Sequence, residues 1–206
     1  MSSNKFTAII VVDFQGDFTE HLKGALPVPG TGKDYLDAVI ARTRDYKLRG
    51  FPIMATRDYH PADHISFFTS HTGAKPLDVV PTSAGEQVLW PPHCVQGTAG
   101  ADILLPADLI TAVIDTGNRK NFESYSGFRD DGGHDTGLKS LLEQMRVKNL
   151  IIYGLATDYC VQATVLHALE EGFSVTLVLS LSRGITEDGT AAAVKRMKSA
   201  GAIIEE

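Results

Sequence analysis

The run Leu150-Ile151-Ile152-Tyr153-Gly154-Leu155-Ala156-Thr157-Asp158-Tyr159-Cys160-Val161-Gln162-Ala163-Thr164 changes character halfway along. Its first four residues are apolar and suited to a strand. Gly-Leu-Ala and a polar pair follow, and then an amphipathic pattern that runs to about Glu171. This predicts strand, tight turn and helix, with Cys160 in the first helical turn. A thiol there meets the positive end of the helix dipole among free N–H groups, which is expected to lower its pKa and favour thiolate. The same N–H groups suit a developing oxyanion. Cys160 is therefore a candidate nucleophile, beside the plainer reading of a small apolar cysteine packed at a helix start.

Outward from this unit the strand–helix alternation repeats. Strands are predicted at 6–12, 52–56, 109–116, 149–154 and 174–179, with a short edge strand at 202–204. Helices are predicted at 33–49, 137–145 and 187–200. Near-continuous apolar strands alternating with helices imply an α/β fold: a three-layer α/β/α, doubly wound arrangement around a mostly parallel sheet of about six strands. The chain reads as a single domain over 1–206, with a long irregular region at about 58–106 that carries most of the nine prolines. An irregular stretch of that length in a compact domain is usually functional.

At 206 residues, 43% hydrophobic and 21% charged, the composition is that of a soluble globular protein. A net charge of -6 and no long Lys/Arg cluster argue against a nucleic-acid surface. Met1-Ser2-Ser3-Asn4-Lys5 and the short apolar run after it read as neither a signal peptide nor a membrane span. The two cysteines, Cys94 and Cys160, are read as reduced thiols of a cytoplasmic protein.

In doubly wound sheets, ligands sit outside the carboxyl ends of the strands. The predicted strands end at Asp13, at Asp58, near Lys120 and at Cys160, so an acid, a lysine and a cysteine are expected at one rim. Each has a plainer reading, Asp13 as a turn cap and Lys120 as a solvated loop cation. A nucleophilic cysteine, however, needs both a base and a positive neighbour. Asp58-Tyr59-His60-Pro61-Ala62-Asp63-His64, together with His93, offers carboxylate and imidazole donors that suit a divalent transition metal. His64 fits either as a further ligand or as a partner behind the ligands. A polar loop whose histidines cap helices would look similar.

Together these residues resemble the nicotinamidases of the isochorismatase-like cysteine hydrolase superfamily. The resemblance rests on Val11-Val12-Asp13-Phe14-Gln15-Gly16-Asp17-Phe18, on 56–64, on Trp90-Pro91-Pro92-His93-Cys94-Val95-Gln96-Gly97-Thr98, on Arg119-Lys120 with Ser124-Tyr125-Ser126-Gly127-Phe128, on 154–161 and on Ser182-Arg183-Gly184. It implies a catalytic triad of Asp13, Lys120 and Cys160, and metal ligands Asp58, His60 and His93. It also implies an oxyanion hole from the backbone N–H groups of Ala156 and Cys160, with a non-proline cis peptide before Ala156. Phe18 and Trp90 match residues that sandwich a pyridine ring, with Tyr125 nearby, and Gln15 falls close to a metal-bound water. The implied cofactor is one divalent transition metal per chain, Zn2+ first, with Fe2+ or Mn2+ as alternatives. The implied substrate is nicotinamide, with pyrazinamide as a close analogue, and the implied role is in NAD salvage. Neither nucleic acid nor membrane is an expected partner, and assembly into a homo-oligomer is left open. Hydrolases of enol ethers or of ureido and carbamoyl compounds share the scaffold but generally lack the metal loop. A non-catalytic relative would be marked by loss of a triad member.

Overall fold

The structure is a computed structural model that describes residues 6–206; Met1–Lys5, with the reading given to them above, lie outside the described residues. Six parallel strands form one sheet in the order β5 (Ala112–Thr116), β2 (Ile53–Asp58), β1 (Thr7–Val12), β6 (Asn149–Gly154), β7 (Ser174–Val178), β8 (Ile203–Glu205). Helices α2 (Leu138–Gln144), α3 (Gln162–Glu170) and α4 (Glu187–Ser199) pack on one face. The other face is covered by α1 (Lys33–Leu48) and irregular segments around Phe14, Phe18 and Leu105.

This layering explains why the central strands read as unbroken apolar runs. Along β1, Ala8, Ile10 and Val12 enter the core beneath α2–α4, while Ile9 and Val11 enter the core beneath α1. All six strand residues are buried, and each large aliphatic side chain so buried contributes about 1.5–3 kcal/mol. The edge strand β8 alternates between exposed and half-buried residues.

The strand order reverses between β1 and β6, where Val12 lies opposite Gly154. At such a switch point two carboxyl-end loops diverge and open a crevice. Gly154 adopts φ 136°, and a Cβ there would sit 2.1 Å from the Val12 carbonyl oxygen, so β6 ends this close to β1 only with glycine.

The irregular region contains a hairpin that the sequence reading missed, β3 (Val79–Thr82) and β4 (Gly85–Val88). Its strands are four residues long, one carries Pro81, and only Gln87 is buried, so neither period nor apolar content marks them. Leu89 and Trp90, immediately after the hairpin, are buried and tied by backbone bonds to 66–68 and 77–78. The hairpin thus delivers Trp90 to the site. No helix among the described residues is long and apolar enough to cross a membrane.

Candidate active site

Asp13 follows β1 and Cys160 follows β6, so the switch point brings them together. Cys160 does not lie in an ordinary α-helical turn as the sequence suggested. Residues Thr157–Val161 form a π-helical turn ahead of α3, in which the Val161 N–H reaches back five residues to the Ala156 carbonyl at 3.1 Å. Such wide turns concentrate at functional sites. The peptide bond between Leu155 and Ala156 is cis. The loop before α4 anchors this turn. The Thr157 N–H donates to the Arg183 carbonyl at 2.8 Å, and the Asp158 carboxylate accepts from the amides of Ile185 and Thr186 at 2.9 and 3.2 Å. Both Cys94 and Cys160 are free thiols.

The Cys160 thiol and the Asp13 carboxylate are close enough for each to shift the other's titration. Its pKa is pushed well above the ordinary thiol value by burial and then by the charges of Asp13 and Asp58. This corrects the expectation of a thiolate favoured by the helix terminus, because desolvation and two nearby carboxylates outweigh the dipole. Asp13 in turn is raised to about 7 by burial and by Asp58, against the opposing hydrogen bonds from Thr56 and Cys160. A carboxylate near neutrality beside a protonated thiol is a base placed to take the proton as attack occurs.

Lys120 does not join them. β5 stops at Thr116, and the following turn carries Lys120 past the site onto the surface. There it is 57% exposed and paired to Asp63 at 2.5 Å, beside a different depression. The lysine expected beside Cys160 is absent from this position.

The second constellation does converge. Asp58 Oδ1 lies 2.8 Å from His60 Nε2, and Asp58 Oδ2 lies 3.2 Å from His93 Nε2. His60 Nδ1 is held by the Gly117 carbonyl at 3.0 Å and His93 Nδ1 by the Pro91 carbonyl at 2.7 Å. A carbonyl only accepts, so each ring keeps a proton on Nδ1 and turns Nε2 toward Asp58, where a proton or a cation can sit between the two. Buried His60 Nε2 has no aligned hydrogen-bond partner despite its closeness to Asp58. Burial works against a charge on His60, yet Asp58 and Glu123 raise its pKa to about 9. Two imidazole nitrogens and a carboxylate, all buried and turned toward one another, fit a divalent transition metal that would replace the proton between them.

Gln15 is fully engaged in holding Asp58 in place. Its Nε2 donates to the carbonyls of Asp58 and Ala101 at 2.8 and 2.9 Å, and its Oε1 accepts from the Asp58 N–H at 2.8 Å. It therefore clamps the backbone under the cluster, with both Nε2 protons committed. Asp17 likewise fixes the loop after His93 by accepting from the Cys94 N–H at 2.7 Å.

His64 belongs to a second grouping with His60 and Glu123 that also has metal-like spacing. Its nitrogens are occupied, however. Nδ1 accepts from the Ser66 hydroxyl at 2.7 Å, and Nε2 donates to the carbonyls of Arg119 and Phe122, both at 3.1 Å. Burial lowers its pKa, which keeps this neutral tautomer. Of the two groupings, Asp58, His60 and His93 are the residues that could hold a metal with their facing atoms, while His64 braces the loop behind them through its own hydrogen bonds. Glu123, which the sequence reading passed over, is a buried acid on the cavity wall. Its position immediately before the quoted Ser124–Phe128 block was the available signal.

The cavity encloses about 460 Å³ counting its mouth and joins both constellations. Phe18, Trp90 and Tyr125 line it with Tyr159, and Asp58, His93, Ala156 and Cys160 share the same wall. The Trp90 Nε1–H donates to the Tyr125 hydroxyl at 2.9 Å, and Trp90 meets Tyr159 edge to face at 5.1 Å. A flat aromatic molecule with polar atoms at opposite ends suits this chamber.

Comparison with known proteins agrees with that geometry. The isochorismatase domain matches residues 7–206. The chain is 38% identical to the nicotinamidase of Escherichia coli over 203 residues, covering 96% of this chain and 93% of that one. Among solved structures, a nicotinamidase and pyrazinamidase of Acinetobacter baumanii superposes with a TM-score of 0.88 at 31% identity, covering 100% and 98% of the two chains. The pyrazinamidase of Pyrococcus horikoshii in complex with zinc superposes with a TM-score of 0.79 at 38% identity, covering 98% and 99%. The chain belongs to the isochorismatase family and stands among its nicotinamidases.

Proposed function

We propose that this protein hydrolyses nicotinamide to nicotinate and ammonia, as a cytoplasmic step of NAD salvage, with pyrazinamide as a further substrate. The observation that carries this reading is that Cys160 and the Asp58 and His93 side chains of the metal-like cluster face one aromatic-walled cavity. In this reading Asp13 accepts the thiol proton as Cys160 Sγ attacks the carboxamide carbon. The amides of Ala156 and Cys160 take the charge that develops on the oxygen; removing one such donor typically costs about 10²–10³ in rate. Asp13 passes its proton to departing ammonia, leaving a thioester on Cys160. Asp13 then accepts a proton from the water that hydrolyses the thioester. Asp58, His60 and His93 would hold one divalent metal, for which the zinc in the Pyrococcus horikoshii pyrazinamidase supports Zn2+. When bound, the metal supplies a Lewis-acidic anchor for the ring nitrogen. Phe18, Trp90 and Tyr125 enclose the ring and exclude water. The test is ammonia release from nicotinamide by purified protein. Cys160→Ala should lower turnover by at least about 10³-fold with the fold intact. Turnover of another amide but not of nicotinamide would overturn the substrate assignment.

A further inference from the structure

No lysine or arginine lines the Cys160 cavity among the described residues. The cations nearest in sequence to the site are committed elsewhere. Lys120 pairs with Asp63, Arg119 with Asp130 at 3.1 Å, and Arg57 with Asp115 through two bonds of 2.7 and 2.9 Å. At the end of β5, in register with Asp58, stands Thr116, whose hydroxyl donates to the Arg57 carbonyl at 3.3 Å. What Asp13 has instead is a two-way clasp with Thr56, a buried residue of the neighbouring strand β2. The Thr56 hydroxyl donates to Asp13 Oδ1 at 2.5 Å, and the Asp13 N–H donates to Thr56 Oγ1 at 3.0 Å. Asp13 itself has φ 45°, a left-handed conformation that an L-residue adopts at a cost unless its surroundings hold it.

We infer that Thr56 is the positioning residue for Asp13, and that the Asp13–Cys160 pair of this chain works without a cationic side chain. The inference rests on the amide-hydrolase reading above. An O–H donor at this length to a carboxylate is among the stronger hydrogen bonds in proteins. It commits Asp13 Oδ1 and leaves Oδ2 free to accept the thiol proton. The clasp links side chain to backbone across two strands, so it holds the carboxylate and the left-handed turn together. A lysine could supply charge, but not this orientation.

The test compares Thr56→Val, Thr56→Ser and Lys120→Ala. Three readouts are used: kcat and KM for nicotinamide, thermal melting, and the rate at which iodoacetamide alkylates Cys160, followed on its own peptide so that Cys94 does not interfere. Loss of one charge-assisted bond predicts that Thr56→Val lowers kcat about 10- to 100-fold, leaves KM nearly unchanged and slows Cys160 alkylation. Thr56→Ser should restore kcat to within about threefold, and Lys120→Ala should stay within about threefold throughout. Three results would overturn the inference: a Thr56→Val enzyme with undiminished kcat, a Thr56→Ser enzyme as poor as the valine variant, or a loss beyond about 30-fold in Lys120→Ala. Should Thr56→Val melt below the assay temperature, the serine and Lys120 variants still decide. Should the wild type leave nicotinamide untouched, the substrate reading falls while the alkylation rates still test Thr56.

Discussion

The Asp13–Cys160 pair and the Asp58–His60–His93 cluster sit on neighbouring strands of one sheet and handle charge in opposite ways. At the first, burial and adjacent anions keep a proton on the thiol and raise the nearby carboxyl to about 7, so a proton can pass between them. At the second, backbone carbonyls hold a proton on the far nitrogen of each imidazole, and the near nitrogens converge on Asp58, where a cation would fit. The first region is poised for transfer and the second for holding a cation. Neighbouring polar clusters therefore need separate hydrogen-bond accounting, because residue types alone give no distinction between an Asp that moves protons and an Asp that binds.

After Cys160→Ala, the largest expected effect falls on the transfer side. Asp13→Asn removes the proton acceptor and should lower kcat by about 10²–10⁴ while nicotinamide still binds. The sign of the pH response follows from the raised carboxyl. Below about 7 Asp13 holds a proton and cannot accept another, so kcat/KM of the wild type should fall as pH drops through that value. A flat profile down to pH about 5 would remove Asp13 as the base.

On the holding side, the double replacement of His60 and His93 by alanine should abolish stoichiometric metal in elemental analysis. It should also raise KM more than about tenfold, the ordinary cost of losing first ligands. Unchanged KM in metal-free protein would merge the two regions into one and break the comparison. The smallest effect is expected from His64→Ala. With two carbonyls and the Ser66 hydroxyl left unpaired, stability should fall by about 2 kcal/mol, or roughly 4–8 °C in Tm, with metal content retained. Metal loss in that variant would make His64 a ligand rather than a brace.

The frame was legible because burial on both faces writes itself into sequence. β1 and β6 are continuous apolar runs, and the reading placed β6 at the residues where it occurs. Asp13 and the Asp-x-His loop were legible because each stands at or just beyond a strand end, where topology fixes position, and Cys160 because strand, glycine turn and helix follow one another without a gap in the sequence. Lys120 was misplaced for the converse reason. It lies four residues beyond β5, in a turn whose path depends on Gly117 at φ 60° and on the Asp63 partner, neither of which leaves a period. Thr56 was hidden because a threonine inside a strand reads as ordinary β propensity, and its clasp with Asp13 exists only once β1 and β2 pair. Glu123 was hidden by lying in a loop, where an acid is by default solvated. The raised thiol pKa was misjudged because the sequence shows the helix start but neither the burial of the thiol nor the two carboxylates near it.

The central claim is that bond-making and ring-holding are carried by separate residues in one cavity. Calorimetric titration of nicotinamide into metal-loaded and metal-stripped Cys160→Ala protein tests it most directly. The account predicts binding by the loaded variant close to the wild-type KM, weakened more than about tenfold on stripping. Equal affinity in the two forms, or no binding by the loaded variant, would contradict it.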